Sequence, residues 1–344
     1  MEKRMILAFV FSFLILMLWS FVFAPKKDKT PQIEDATHKK SEQSVSETAK
    51  PSLLKPAISP KTIKNKDGII IPTLQKKEIT IETPLYKATF SNVGAIIKSY
   101  ELKEYYLTAD PDSPLIDLAD LGETGDNFFY LTFENDSNPN HEKIIYQVNK
   151  ESLILDPGSP PRDLTFRSMT SDGVSTTQTF RFYPDKYNVD LLIELENNSE
   201  EQVEGTLEAH LTNLPVAGKK SYYSFVGLAL LLNDELEEIK PKKMKEGKVL
   251  SGPIGWVAYE NQYFITAVIP EDQTEGSFQG QALPSGILKA TYIAPSISLK
   301  SSEHRLSHFT LYLGPRDLYI LKALNKKLEK AINYGMWDII AKPL

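Results

Sequence analysis

Residues 176–183 read "TTQTFRFY", and the alternation within them decides the fold class. Successive side chains of an extended chain point to opposite faces, so Phe180 and Phe182 fall on one side and Thr179 and Arg181 on the other. An apolar face backed by a polar one is the pattern of an antiparallel strand with one wet side. A helix would need its apolar residues three and four apart.

The same texture spreads outward from this stretch in both directions. "EITIET", "YKATFS", "FFYLTF", "NVDLLIELE", "YFITAVI", "LKATYIA" and "HFTLYLG" are short runs of β-branched and aromatic residues bounded by Gly, Asn, Asp and Pro. Their spacing over residues 69–314 predicts an all-β sandwich, large but acceptable for one domain. "FVGLALLL" at residues 225–232 is too short to cross a bilayer and reads as a buried strand.

On the N-terminal side the texture is different. Residues 5–24, "MILAFVFSFLILMLWSFVFA", carry no charge. At about 1.5 Å per residue they match a hydrocarbon core of roughly 30 Å. They predict a membrane anchor, with Met5, Phe9, Phe13, Leu16, Trp19 and Phe23 along its length. A cleaved signal peptide is the competing reading, since Val22, Phe23 and Ala24 resemble a cleavage site, but Pro25 follows directly and signal cores are shorter. Lys3 and Arg4 precede the run while Lys26, Lys27 and Lys29 follow it, so charge alone leaves its orientation open. Residues 25–68 are rich in Lys, Ser, Thr, Glu and Pro with almost no aromatic residue, which predicts a disordered polar tether.

Helical periodicity returns at the other end. Gly314 and Pro315 are followed by Leu318, Leu321, Leu324, Leu328 and Ile332, an apolar stripe with Lys322, Lys326, Lys327 and Lys330 off it. Pro315 suits a first helical turn and Gly335 a helix end, so an amphipathic helix is expected between them, packed on the sheet of its own domain. A second amphipathic piece, "MWDIIAKPL", holds Met336, Trp337, Ile339 and Ile340 beside Lys342 and Pro343. Trp next to Lys favours the membrane interface, where an apolar ring keeps a polar edge wet.

Composition narrows the function classes. The chain has 344 residues, 41% of them hydrophobic, and a net charge of −6 that gathers in the predicted sandwich while both ends are basic. An acidic body argues against nucleic acid, and basic ends suit a membrane surface. With no cysteine, disulfides, thiolate metal sites and Cys nucleophiles are excluded. Neither a nucleophile elbow, a zinc-protease motif, a phosphate-binding Gly loop nor a dinucleotide fingerprint occurs. His304 and His308 are four apart but lead into a strand with no third ligand in view, and the carboxylates of residues 110–126 lack the spacing of a calcium loop. No catalytic residue, metal or cofactor is therefore assigned. Carboxylates and histidines distant in sequence could still converge, which leaves a sugar-processing sandwich open.

At this point four stretches resemble the bacterial membrane protein insertase family YidC, in the type that carries a large periplasmic domain. They are the anchor with its tether; "TPLYKATFSNVGAIIKSYELKEY", with Gly94; "GWVAYENQYFITAVIP", with Gly255, Trp256, Tyr263 and Phe264; and the C-terminal stretch with Gly314, Pro315 and Gly335. The resemblance implies a periplasmic β-supersandwich over residues 69–314, an anchor over 1–24, a tether over 25–68, and helices over 315–344 that lead to a transmembrane core beyond Leu344. It implies a bacterial inner-membrane location with a cytoplasmic N-terminus. Its implied partners are the lipid bilayer, the Sec translocon with SecD/SecF, and nascent inner-membrane proteins. An insertase does no covalent chemistry, so it is not an enzyme and needs no cofactor. A membrane-anchored carbohydrate-binding or sugar-processing domain is the alternative, expected to show a cleft with aromatics and paired carboxylates. A periplasmic chaperone would show a contiguous apolar groove.

Overall fold

The computed structural model describes residues 75–110, 112–135, 143–215, 225–271 and 275–332. Nineteen strands among them pair into two sheets that share one long strand.

The first sheet runs β7 (Ser152–Ile154), β1 (Glu78–Glu82), β2 (Tyr86–Ser91), β3 (Ile96–Tyr106), β5 (Phe129–Glu134), β11 (Val203–Asn213), β17 (Leu288–Ile293), β16 (Glu275–Ala282) and the first half of β14 (Lys248–Glu260). Only the β7 to β1 contact is parallel. Short β4 (Leu115–Asp117) lies on β3, and β18 (Ile297–Leu299) on the start of β11. The second sheet runs β6 (Gln147–Val148), β8 (Arg162–Met169), β9 (Val174–Phe182), β10 (Asn188–Asn197), β19 (His304–Pro315), β15 (Phe264–Pro270), the second half of β14, β12 (Gly227–Leu232) and β13 (Glu235–Ile239). β14 thus changes sheets midway, pairing with β16 up to Pro253 and with β12 and β15 from Ile254 onward. The register on β12 shifts between Leu231 and Leu232 at the crossover.

The alternation in residues 176–183 becomes burial. Val174, Thr176, Gln178, Phe180 and Phe182 of β9 point inward, and Val189, Leu191, Ile193 and Leu195 of β10 continue that face. Phe180 meets Phe90 of the first sheet edge-on at 5.0 Å, with Phe182 and Phe166 around the same ring at 5.8 and 6.0 Å. These rings sit where the two sheets face each other, and each contributes about 2–3 kcal/mol by leaving water. β12 is the buried strand expected of "FVGLALLL". It turns into β13 through Asn233 and Asp234, both with left-handed φ (51° and 66°), the conformation that two-residue hairpins favour.

The C-terminal helix departs from expectation. Pro315 ends β19 rather than opening a helix, and Asp317 caps α1 (Leu318–Ala323) by accepting from the backbone N–H of Tyr319 and Ile320. The helix then breaks at Asn325 and Lys327, both left-handed (φ 57° and 59°), and resumes as one 3-10 turn, Leu328–Ala331. The break keeps Leu321, Leu328 and Ala331 fully buried and Ile332 nearly so, in the same core as the sheets. No helix among the described residues is long and apolar enough to cross a membrane. Met5, Phe9, Phe13, Leu16, Trp19 and Phe23, with the tether, lie outside the described residues, as do Gly335, Met336, Trp337, Ile339, Ile340 and Pro343.

Candidate functional site

The C-terminal segment is held by a clamp centred on Arg316. β15 pairs with β19 so that Phe264 lies opposite Pro315 and Ile265 opposite Gly314. Gly314 is required there because a Cβ would stand 2.8 Å from Tyr187. This register delivers Arg316 to the turn between β14 and β15, where its N–H donates to the Tyr263 carbonyl at 2.7 Å. One guanidinium N–H donates to the Asn261 carbonyl at 3.2 Å and another to the Ala331 carbonyl, so Arg316 ties the last described turn back to the sheet. Its Nε faces Glu260 at 3.2 Å, and that carboxylate is wholly buried. Burial pushes the Glu260 carboxyl up to about 8, against the pull of Arg316 and with help from the nearby Glu238. Neither Glu260 oxygen accepts a hydrogen bond among the described residues.

Four further contacts secure the segment. Trp256, the largest fully buried side chain, donates its indole N–H to the Lys327 carbonyl at 3.3 Å. Lys327 and Lys330 reach Asp234 of the β12–β13 turn at 2.9 and 3.0 Å, and together they hold that exposed carboxyl below its usual range. Lys326 pairs with Glu271 at the end of β15.

Lys326 also closes one side of a cleft of about 920 Å³. Its floor is the outer face of the second sheet. Register places Arg181, Asp190 and Thr310 in one row across β9, β10 and β19, and Ile320, Ala323 and Leu324 of the C-terminal segment form the opposite wall. Tyr105, Tyr183, Tyr187 and Phe309 add aromatic surface. The cleft therefore has the aromatics and carboxylates that a sugar site would show. Of the four carboxylates that line it, Glu104, Asp185, Asp190 and Glu271, the last two are already engaged. Asp190 accepts from Tyr183 and from Asn188, and Glu271 accepts from Thr310 at 2.7 Å and from Lys326. Arg181 is likewise held by Asp163 through two bonds of 2.9 Å.

A second polar cluster lies on the outer face of the first sheet. His210 stacks on Tyr130 with centroids 4.4 Å apart, with Nδ1 3.0 Å from Thr291 and Nε2 3.4 Å from Thr132. Burial, and secondarily the charge of Lys289, push its pKa down to about 3, so the ring stays neutral and acts as a structural hydrogen-bonding group.

The residues singled out by sequence divide on this map. Trp256, Tyr263, Phe264, Gly314 and Pro315 converge on the seat of the C-terminal segment. Gly255 lies against Leu231, where a Cβ would come within 2.7 Å, and Gly94 sits apart with φ 75° between β2 and β3. His304 lies near Glu194 and Glu196, whereas His308 lines the cleft. Sequence reasoning missed Arg316, Glu260, Glu271 and Asp190. The adjacency of Arg316 to Gly314 and Pro315 was the one available signal, and only pairing of distant strands reveals Glu260 as its partner.

A β-sandwich whose C-terminal exit is clamped to the strand shared by both sheets defines the class of module. A family model described as the YidC periplasmic domain matches residues 78–344, and the chain belongs to that family. The membrane protein insertase YidC of Geobacter metallireducens is 28% identical over all of this chain and 63% of its own length. That of Syntrophobacter fumaroxidans is also 28% identical, again over all of this chain and 63% of its own. The chain therefore spans less than two thirds of these relatives. Among solved structures, a galactose mutarotase-like protein from Lactobacillus casei aligns with a TM-score of 0.49 and 11% identity, covering 69% of this chain and 99% of that one. A likeness at that level carries no argument about function.

Proposed function

We propose that the chain is the N-terminal portion of a membrane protein insertase, which assists inner-membrane proteins to insert and fold with or without the Sec translocon. The observation that carries this reading is the family match over residues 78–344 together with relatives named membrane protein insertase that align over all of this chain. Insertion lowers the desolvation cost of moving polar segments through hydrocarbon and needs no covalent chemistry. Residues 1–24 anchor the chain with a cytoplasmic N-terminus, residues 25–68 form a tether, and the sandwich of residues 69–314 stands in the periplasm. Residues 315–344 connect it to an insertase core, with Met336, Trp337, Ile339, Ile340 and Pro343 at the membrane interface. The bilayer, the Sec translocon with SecD/SecF and nascent membrane proteins are its partners.

The test is a chimera in which this chain replaces the corresponding portion of the G. metallireducens relative, assayed for insertion of a membrane substrate into proteoliposomes. Trp337→Ala with Ile340→Ala lowers insertion more than substitution of exposed strand residues such as Val249→Ser. Equal insertion by both variants refutes the connecting role of the segment.

A further inference from the structure

Ten large apolar side chains stand exposed among the described residues, and two of them, Tyr263 and Tyr319, flank the Arg316 clamp, with the end of β3 packed beside it through Tyr105. Tyr106 ends β3 with Leu107 just after it, Tyr263 lies in the β14–β15 turn, and Tyr319 lies in the first turn of α1. The segments are joined beneath them. The Tyr105 ring meets Phe264 edge-on at 5.3 Å, Phe264 meets Tyr263 at 6.4 Å, and Arg316 links the Tyr263 carbonyl to the start of α1. Tyr263 and Tyr319 are 65% and 74% exposed, although a tyrosine in the same neighbourhood, Tyr105, is half-buried against the sheet. Met169 and Val249, also exposed, lie far away. Met169 is at the opposite end of the β8–β9 ladder, and Val249 is at the other end of β14, eleven residues from Glu260 or roughly 36 Å of strand.

We propose that this tyrosine rim is a membrane-docking surface, seating the sandwich on the interfacial layer of the bilayer. The proposal rests on the interfacial reading of residues 336–340. Chain length then supplies the argument. The Ala331 carbonyl is hydrogen-bonded to Arg316, and Arg316 to Tyr263. Between Ile332 and Met336 there are four peptide steps, which reach at most about 14 Å when fully extended. A segment lying on the bilayer at Met336 therefore holds Ile332 within that distance of the lipid, with the clamp and its rim directly behind it. Tyrosine is suited to such a boundary, since its ring enters the apolar side while its hydroxyl keeps water. Glu104 and Asp317 flank the rim, so the contact is apolar and aromatic rather than electrostatic, and it forms on zwitterionic lipid and survives added salt.

The chain has no cysteine, so single reporters carry no background. The full chain is reconstituted in phosphatidylcholine nanodiscs with an environment-sensitive fluorophore at Tyr263→Cys, Tyr319→Cys, Met336→Cys, Met169→Cys or Val249→Cys, and challenged with lipids spin-labelled at the upper acyl chain. The expected result is quenching at positions 263 and 319 comparable to that at 336, with positions 169 and 249 unaffected and the pattern unchanged in high salt. Quenching at 336 with 263 and 319 as bright as the two controls overturns the docking surface while leaving the interfacial segment intact. Equal quenching at all five positions also overturns it, because the sandwich then has no preferred face. Absence of quenching at 336 removes the interfacial segment, and the docking surface with it.

Discussion

The strand pair β9–β10 and the segment from Leu318 to Ile332 use similar apolar residues, yet one follows its local pattern and the other breaks it. In β9 every second residue from Val174 to Phe182 is buried, and β10 does the same in register. In the C-terminal segment a stripe that fits one continuous helix is cut into α1 and a 3-10 turn by two left-handed residues. A strand within a sheet is constrained on both sides by its neighbours, so period two survives. A surface helix is constrained on one side only, and Trp256, Asp234, Glu271 and Arg316 together outweigh its propensity.

The contrast can be broken at several points. Phe180→Ala removes a ring from the contact between sheets and lowers stability by about 3–5 kcal/mol in chemical denaturation, the largest effect expected. A loss under about 1 kcal/mol would mean that the aromatic cluster is not the centre of the core.

At the clamp the sharper probe is pH. Glu260 is raised when folded and ordinary when unfolded, so between about pH 4.5 and 8 the unfolded state gives up a proton that the folded state keeps, and stability falls as pH rises. His210 behaves oppositely. Its folded value is depressed, so stability is full above the unfolded value and is lost as pH falls from about 6.5 toward 3. Glu260→Gln therefore removes the fall in stability with rising pH between about pH 4.5 and 8, up to about 1.4 kcal/mol per pH unit at its steepest, and His210→Gln removes the loss on acidification between about pH 6.5 and 3. Profiles unchanged by both substitutions would disprove the assignment.

The smallest effect is local. Lys327→Gly relieves a left-handed lysine, gaining about 1 kcal/mol, and loses one exposed ion pair worth less, with Lys330 still on Asp234. A net gain of a few tenths of a kcal/mol is expected; a clear loss would show that the Lys327 side chain, rather than the backbone, holds the break.

How far the molecule could be read from its residues follows the same division. Alternation in "TTQTFRFY" and its neighbours was enough for the all-β class, and "FVGLALLL" for a buried strand, because those patterns state which face each residue takes. The change of sheets within β14 was hidden, since no residue of residues 248–260 marks which partner it meets. The sequence also pointed to Trp256, Phe264, Gly314 and Pro315, but Glu260 and Arg316 are far apart along the chain and meet only when β15 brings its neighbours together.

The position of β19 has a mechanical consequence. It runs through the middle of its sheet, hydrogen-bonded to β10 on one side and β15 on the other. Tension applied to the chain beyond Ile332 first meets Arg316 and its carbonyl partners. If they yield, the pull next loads a strand flanked along most of its length, where many hydrogen bonds must shear together instead of unzipping singly. The clamp is thus a fuse: a pull on the chain at Ile332 detaches a short peripheral turn before it can draw a strand out of the sandwich.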